Sequence, residues 1–87
     1  MNITCAIIDD EPLALELLEN YVSRVPFLKL TGKYTSAIEA LARIKEDGTQ
    51  LLFLDIQMPD LNGLEFSRII DSSTKVVFTT AFSEYAI

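Results

Sequence analysis

The stretch LLFLDIQMPDLNG, residues 51–63, decides the fold. Leu51-Leu52-Phe53-Leu54 is an unbroken apolar run, which suits a strand covered on both faces in a parallel sheet. Asp55 follows at its carboxyl end, where open α/β sheets form their ligand crevice. Pro59 lacks an N–H and keeps Met58 out of helical geometry, so Gln57-Met58-Pro59-Asp60 reads as a loop. A carboxylate at the tip of an apolar strand is costly unless it is exposed or paired, and its placement points to use.

The segments on either side repeat the same strand-then-helix rhythm. Ile3 to Ile8 (ITCAII) is a short apolar run, read as a first strand, and it ends in Asp9-Asp10-Glu11. Pro12 suits the first turn of a helix, with Asp10 or Glu11 capping it. Ala14, Leu17, Leu18 and Tyr21 recur at helical spacing and are expected to face inward, with Glu16, Glu19 and Asn20 outward. Phe27 to Lys33 is a second strand, less apolar than the first, which places it at an edge. Ser36-Ala37-Ile38-Glu39 has the form of a capping box and opens a helix closed by Gly48, with Ile38, Leu41 and Ala42 expected inward. After the 51–63 stretch, Asn62-Gly63-Leu64-Glu65 caps a third helix with Phe66, Ile69 and Ile70 on one face. Lys75 to Thr79 (KVVFT) is a fourth strand, and residues 82–87 look like the start of another helix. The order β-α-β-α-β-α-β calls for right-handed crossovers and a parallel sheet with helices on both sides.

Bulk composition narrows the function classes. Eighty-seven residues make one small domain, which at this size buries roughly 60–65% of its unfolded surface. The net charge is −6 and no Lys/Arg cluster occurs, which argues against direct contact with nucleic-acid phosphates by this segment. Cys5 is the single cysteine, so no internal disulfide forms, in keeping with a reducing compartment. No apolar run approaches the ~20 residues that span a bilayer, and Met1 leads into a strand pattern rather than a signal peptide. With no histidine present, a metal held here is bound by oxygen.

If the first and third strands are neighbours, Asp9, Asp10 and Asp55 converge at one end of the sheet. Carboxylates within a few Å repel one another and titrate as a coupled group unless a cation joins them. An oxygen-only set with open water positions suits Mg²⁺, and the Gln57 main-chain carbonyl can add a ligand. Thr80, at the tip of the fourth strand, places a hydroxyl beside the same crevice. A nucleophilic carboxylate, a metal and a hydroxyl donor are what phosphoryl transfer to an aspartate requires.

IIDDEP, LLFLDIQMPDLNG and VVFTTA resemble, in order and spacing, the three signature stretches of two-component response-regulator receiver domains. The resemblance covers essentially the whole chain and implies a flavodoxin-like, doubly wound sheet of order 2-1-3-4, part of the family's 2-1-3-4-5. It makes Asp55 the phosphoacceptor, Asp10 a direct Mg²⁺ ligand, Asp9 an acid-pocket member acting through water, and Gln57 a ligand through its main-chain carbonyl. Thr80 becomes the switch hydroxyl, and Gln57 and Phe82 the positions that tune phosphoryl lifetime. The partner so implied is a sensor histidine kinase, and the location cytoplasmic. DIQMPDLNG and FTTAFSEYA look most like receivers that precede LytTR-type DNA-binding domains, an output that is not in this sequence.

Complete receivers continue with a fourth helix, a fifth strand ending in Lys, and a fifth helix. The resemblance therefore implies a C-terminally truncated receiver over residues 1–87, reaching only the start of the fourth helix. Lys75 cannot replace the family Lys, because it starts the fourth strand and lies at the opposite end of the sheet from Asp55. An open fourth strand is then expected to favour edge-strand association or homodimers through Val76 to Phe78. Competing functions fit less well. A haloacid-dehalogenase-type phosphatase needs a second acid two residues after the nucleophile, where this chain has Gln57. A pseudo-receiver, a module that binds partners without phosphate, usually loses the acids retained here. A flavodoxin lacks support because no Ser/Thr/Gly-rich phosphate loop follows the first strand, and a P-loop nucleotidase fails for want of G-x-x-x-x-G-K.

Overall fold

The computed structural model describes residues 2–55, 63–70 and 72–79. Its elements run β1 (Ile3–Ile8), α1 (Pro12–Ser23), β2 (Leu28–Tyr34), α2 (Ala37–Asp47), β3 (Leu51–Asp55), α3 (Gly63–Ile69) and β4 (Lys75–Thr79). The four strands form one parallel sheet in the order β2-β1-β3-β4. This is the expected doubly wound arrangement, with β2 at an edge.

Alternation along the central strands feeds two cores. Ala6, Ile8, Leu52 and Leu54 point to one face, where Ala37, Ala40 and Ile44 of α2 and Phe66 of α3 cover them. Cys5 and Ile7 point to the other, under Leu15 and Val22 of α1, with Leu51 and Phe53 packed partly buried beside them. Each fully buried Leu, Ile or Phe contributes about 1.5–3 kcal/mol relative to exposure, so β1 and β3 anchor both layers. Cys5 is a free, buried thiol whose pKa burial pushes up, an inert core residue.

Leu18, Leu41, Phe66 and Ile70 pack on the core as the sequence leads one to expect, but the rest of each helix face differs. In α1 the buried residues are Leu15 and Val22, while Leu17 and Tyr21 lie on the exposed side with Leu13. In α2 it is the small residues Ala37 and Ala40 that are buried with Ile44, whereas Ile38 is 66% exposed and Ala42 faces solvent. In α3 Phe66 is buried and Ile69 is exposed, while Ile70, just past its end, packs on the core. Helix ends follow local chemistry. Ser36 Oγ accepts the Glu39 N–H, and Gly48 closes α2 at φ 64°, a left-handed conformation that glycine adopts without steric cost.

A bulge resets β2. Leu30 sits opposite Cys5 and Gly32 opposite Ala6, which leaves Thr31 as an extra residue. Leu28 and Leu30 therefore face α1, while Tyr34 joins the α2 side. Thr31 Oγ1 donates to the Cys5 carbonyl at 3.0 Å and meets Thr49 Oγ1 at 3.0 Å.

The sheet end that holds the strand starts is closed by neutral hydrogen bonds. The Gln50 N–H donates to Thr4 Oγ1 at 3.1 Å, Thr4 Oγ1 donates to the Gly48 carbonyl at 3.0 Å, and buried Thr74 Oγ1 donates to the Thr49 carbonyl at 2.8 Å. No helix among the described residues is long and apolar enough to cross a membrane. Replacing Thr74 by Val keeps the shape but leaves that carbonyl without its hydroxyl donor. We expect Thr74→Val to lower unfolding free energy by about 1–2 kcal/mol, measurable by urea titration with an unchanged m-value.

Candidate functional site

The site is a consequence of strand register. Ile8 lies opposite Leu54 in the parallel β1–β3 ladder, so the next residue of each strand path, Asp9 and Asp55, emerges side by side. Both continue the alternation of Cys5-Ile7 and Leu51-Phe53, so both belong to the α1 face. Asp10 follows in the turn into α1. Carboxylate oxygens of Asp9, Asp10 and Asp55 all lie within 4.8 Å of one another. Asp9 is buried, Asp55 partly buried and Asp10 exposed.

Two backbone hydrogen bonds hold Asp9. Its N–H donates to the Tyr34 carbonyl at 3.1 Å, and its Oδ1 accepts the Glu11 N–H at 2.9 Å. Glu11 occupies the N-cap position of α1, yet its own side chain makes no capping bond. Asp9, two positions before it, instead accepts the N–H of Glu11 itself, an aspartate turn ahead of the helix rather than a cap on its first turn.

Burial drives the electrostatics. Desolvation raises the Asp9 carboxyl from 3.8 to about 6; the Glu11 N–H opposes this, and the charges of Asp55, Asp10 and Glu11 add to it. A divalent cation fits this donor set: every side-chain ligand is a carboxylate oxygen, and the charge repulsion that lifts Asp9 is what a cation removes.

Of the other sequence-derived site residues, Gln57, Thr80 and Phe82 lie outside the described residues. β4 pairs with β3 so that Thr79 sits opposite Asp55. Lys75 sits opposite Leu51, at the far end of the sheet from the acids.

The family model for the response regulator receiver domain matches residues 5–87. The chain belongs to that family. Receiver domains are signalling modules rather than conventional enzymes. An "uncharacterized response regulatory protein" of Shewanella oneidensis is 45% identical over 87 residues, covering 98% of this chain and 37% of its own length. The transcriptional regulatory protein BtsR of Escherichia coli K12 is 40% identical over 83 residues, 93% of this chain and 35% of its own length. The receiver thus spans a little over a third of the curated relatives it matches. Among solved structures, the response regulator domain of Thermotoga maritima CheB superposes with TM-score 0.83 at 25% identity, over 99% of this chain and 66% of that one. The isolated receiver of RcsB from Salmonella enterica serovar Typhimurium gives TM-score 0.85 at 17% identity, over 92% and 62% of the two chains, a likeness of fold.

The raised Asp9 value has a thermodynamic sign. Between pH 4 and 6 the folded state retains a proton that the unfolded state has released, so stability is highest at the acid end and is lost as pH rises through about 6. In metal-free, chelator-treated buffer we expect unfolding free energy to fall by about 1 kcal/mol from pH 5 to pH 7. Asp9→Asn should flatten that slope. An unchanged slope in the variant would assign it to another group.

Proposed function

We propose that this receiver accepts a phosphoryl group on Asp55 and relays that state to an output domain outside the 87 residues. The observation that carries the reading is the convergence of three carboxylates, within 4.8 Å, at the carboxyl end of adjacent parallel strands. In this reading the donor is the phosphohistidine of a sensor histidine kinase, or a small acyl phosphate. An Asp55 carboxylate oxygen attacks phosphorus in line, the new O–P bond forms as the donor's P–N or P–O bond breaks, and the leaving group departs on the opposite side.

Asp10 and Asp55, with the main-chain carbonyl of Gln57, would hold Mg²⁺, and Asp9 would bind it through water. Bound there, the ion offsets the charge of the transferring phosphoryl group. The Glu11 N–H keeps Asp9 turned into the cluster. Thr80 donates its hydroxyl to a phosphoryl oxygen and so reports the modification, and Gln57 and Phe82 tune how long it lasts. The domain modifies itself and is not a turnover catalyst. A cytoplasmic location fits a kinase-fed module of this kind.

The output is proposed to bind DNA. The name of BtsR, a transcriptional regulatory protein, supports that class, and the wording of DIQMPDLNG supports the LytTR type. The receiver would reach DNA only through that domain. With β4 at the edge of the described sheet, the 87-residue chain prepared alone is expected to self-associate through Val76 to Phe78.

Incubation with acetyl phosphate and Mg²⁺ tests the central claim. The expected result is a mass gain of one phosphoryl group, lost on chelation of the metal and absent in Asp55→Asn. A gain of the same size in that variant would place the acceptor elsewhere.

A further inference from the structure

Asp9 hangs on a residue that no signature stretch contains. Its N–H is bonded to the carbonyl of Tyr34, the last residue of β2. Among the described residues β2 is an edge strand, and the backbone at Tyr34 has a ladder neighbour on one side only. What fixes its other side is its own side chain. The Tyr34 ring is buried against Ala37, Ala40 and Ile44 of α2, and it lies back along its own strand over Gly32. A Cβ at Gly32 would fall 2.4 Å from Tyr34 Oη and 2.8 Å from Cζ, distances that force the ring to move. Burial pushes the hydroxyl's pKa up, and the charge of Asp47, in the last turn of α2, adds to the rise.

We propose that Tyr34, seated by Gly32, is a positioning residue for Asp9: ring packing between β2 and α2 fixes the carbonyl that holds the Asp9 N–H, and thereby the carboxylate's place in the acid cluster. The consequence for Mg²⁺ rests on the phosphoacceptor reading above; the consequence for the Asp9 backbone does not. Substituting Gly32 displaces the ring without touching any acid. The disturbance then runs from the ring through the Tyr34 carbonyl to the Asp9 N–H, and from Asp9 Oδ1 to the Glu11 N–H.

Amide hydrogen exchange and Mg²⁺ titration test this together. In the metal-free chain, Gly32→Ala should speed exchange at Asp9 and Glu11 by about tenfold relative to Leu52, and weaken Mg²⁺ binding by about three- to tenfold. Tyr34→Phe, which keeps the ring, should retain wild-type values within about twofold, and in a Tyr34→Leu background Gly32→Ala should add little. Thr74→Val, at the opposite end of the sheet, is the control for general destabilisation and should leave the Asp9-to-Leu52 exchange ratio unchanged. Uniform acceleration at all three amides in Gly32→Ala, or unchanged Mg²⁺ affinity beside intact wild-type binding, overturns the proposal. Should Gly32→Ala fail to fold, Tyr34→Leu alone decides the matter by the same ratio. Wild-type protein that binds no Mg²⁺ overturns the metal reading instead, and the exchange ratio still decides whether Tyr34 positions Asp9.

Discussion

Two adjacent parallel strands that end in acids set the terms for everything else in this domain. With Ile8 opposite Leu54, the chain cannot keep Asp9 and Asp55 apart. At 4.8 Å or less, two charged carboxylates repel by about 3.5 kcal/mol or more at an effective dielectric constant near 20. That cost falls on the two strands with the most apolar burial, whose Ile7, Ile8, Leu52 and Leu54 are sealed from solvent. The acids meet because the core beneath them leaves the register no freedom: a shift by one residue would turn each inward face to the other helix layer.

The two ends of the sheet are built on opposite electrostatic plans. Where the strands begin, Thr4, Thr31, Thr49, Gln50 and Thr74 pair neutral donors with neutral acceptors. Where β1 and β3 end, charges of one sign are gathered, and one of them is lifted toward neutral pH. A satisfied end that rigidifies and a repelling end that responds to added charge suit a module whose state is changed by a cation or a phosphoryl group.

The strands, their order and the acids were legible because each rests on a short-range pattern: apolar runs of strand length, Pro12 after three acids, Gly48 after a helix. The helix faces were not. α1 carries two competing stripes, Leu13-Leu17-Tyr21 and Leu15-Leu18-Val22, and both satisfy helical spacing. Only the sheet chooses between them. In α2, side-chain size misled: Ile38 looks like core, but the helix sits close to the sheet by burying Ala37 and Ala40. The bulge at Thr31 was hidden too, since Leu28, Leu30 and Tyr34 keep even spacing while the structure divides them between two faces. It has a visible trace in Gly32, the one residue small enough to sit beneath the Tyr34 ring.

The bulge also explains why the acid pocket depends on an edge strand. Without the extra residue, Tyr34 would share the α1 face with Leu28 and Leu30, and α2 would lose the ring that fills the space above its alanines. With it, the aromatic side chain turns to α2 while its carbonyl still reaches the Asp9 N–H. One inserted threonine therefore settles two matters at once: which helix layer holds the end of β2, and how firmly that end holds the first acid. Asp55 needs no such arrangement, because β3 is paired on both sides, with β1 and with β4. The acid on the central strand is fixed by the sheet, and the acid beside the edge strand by a side chain.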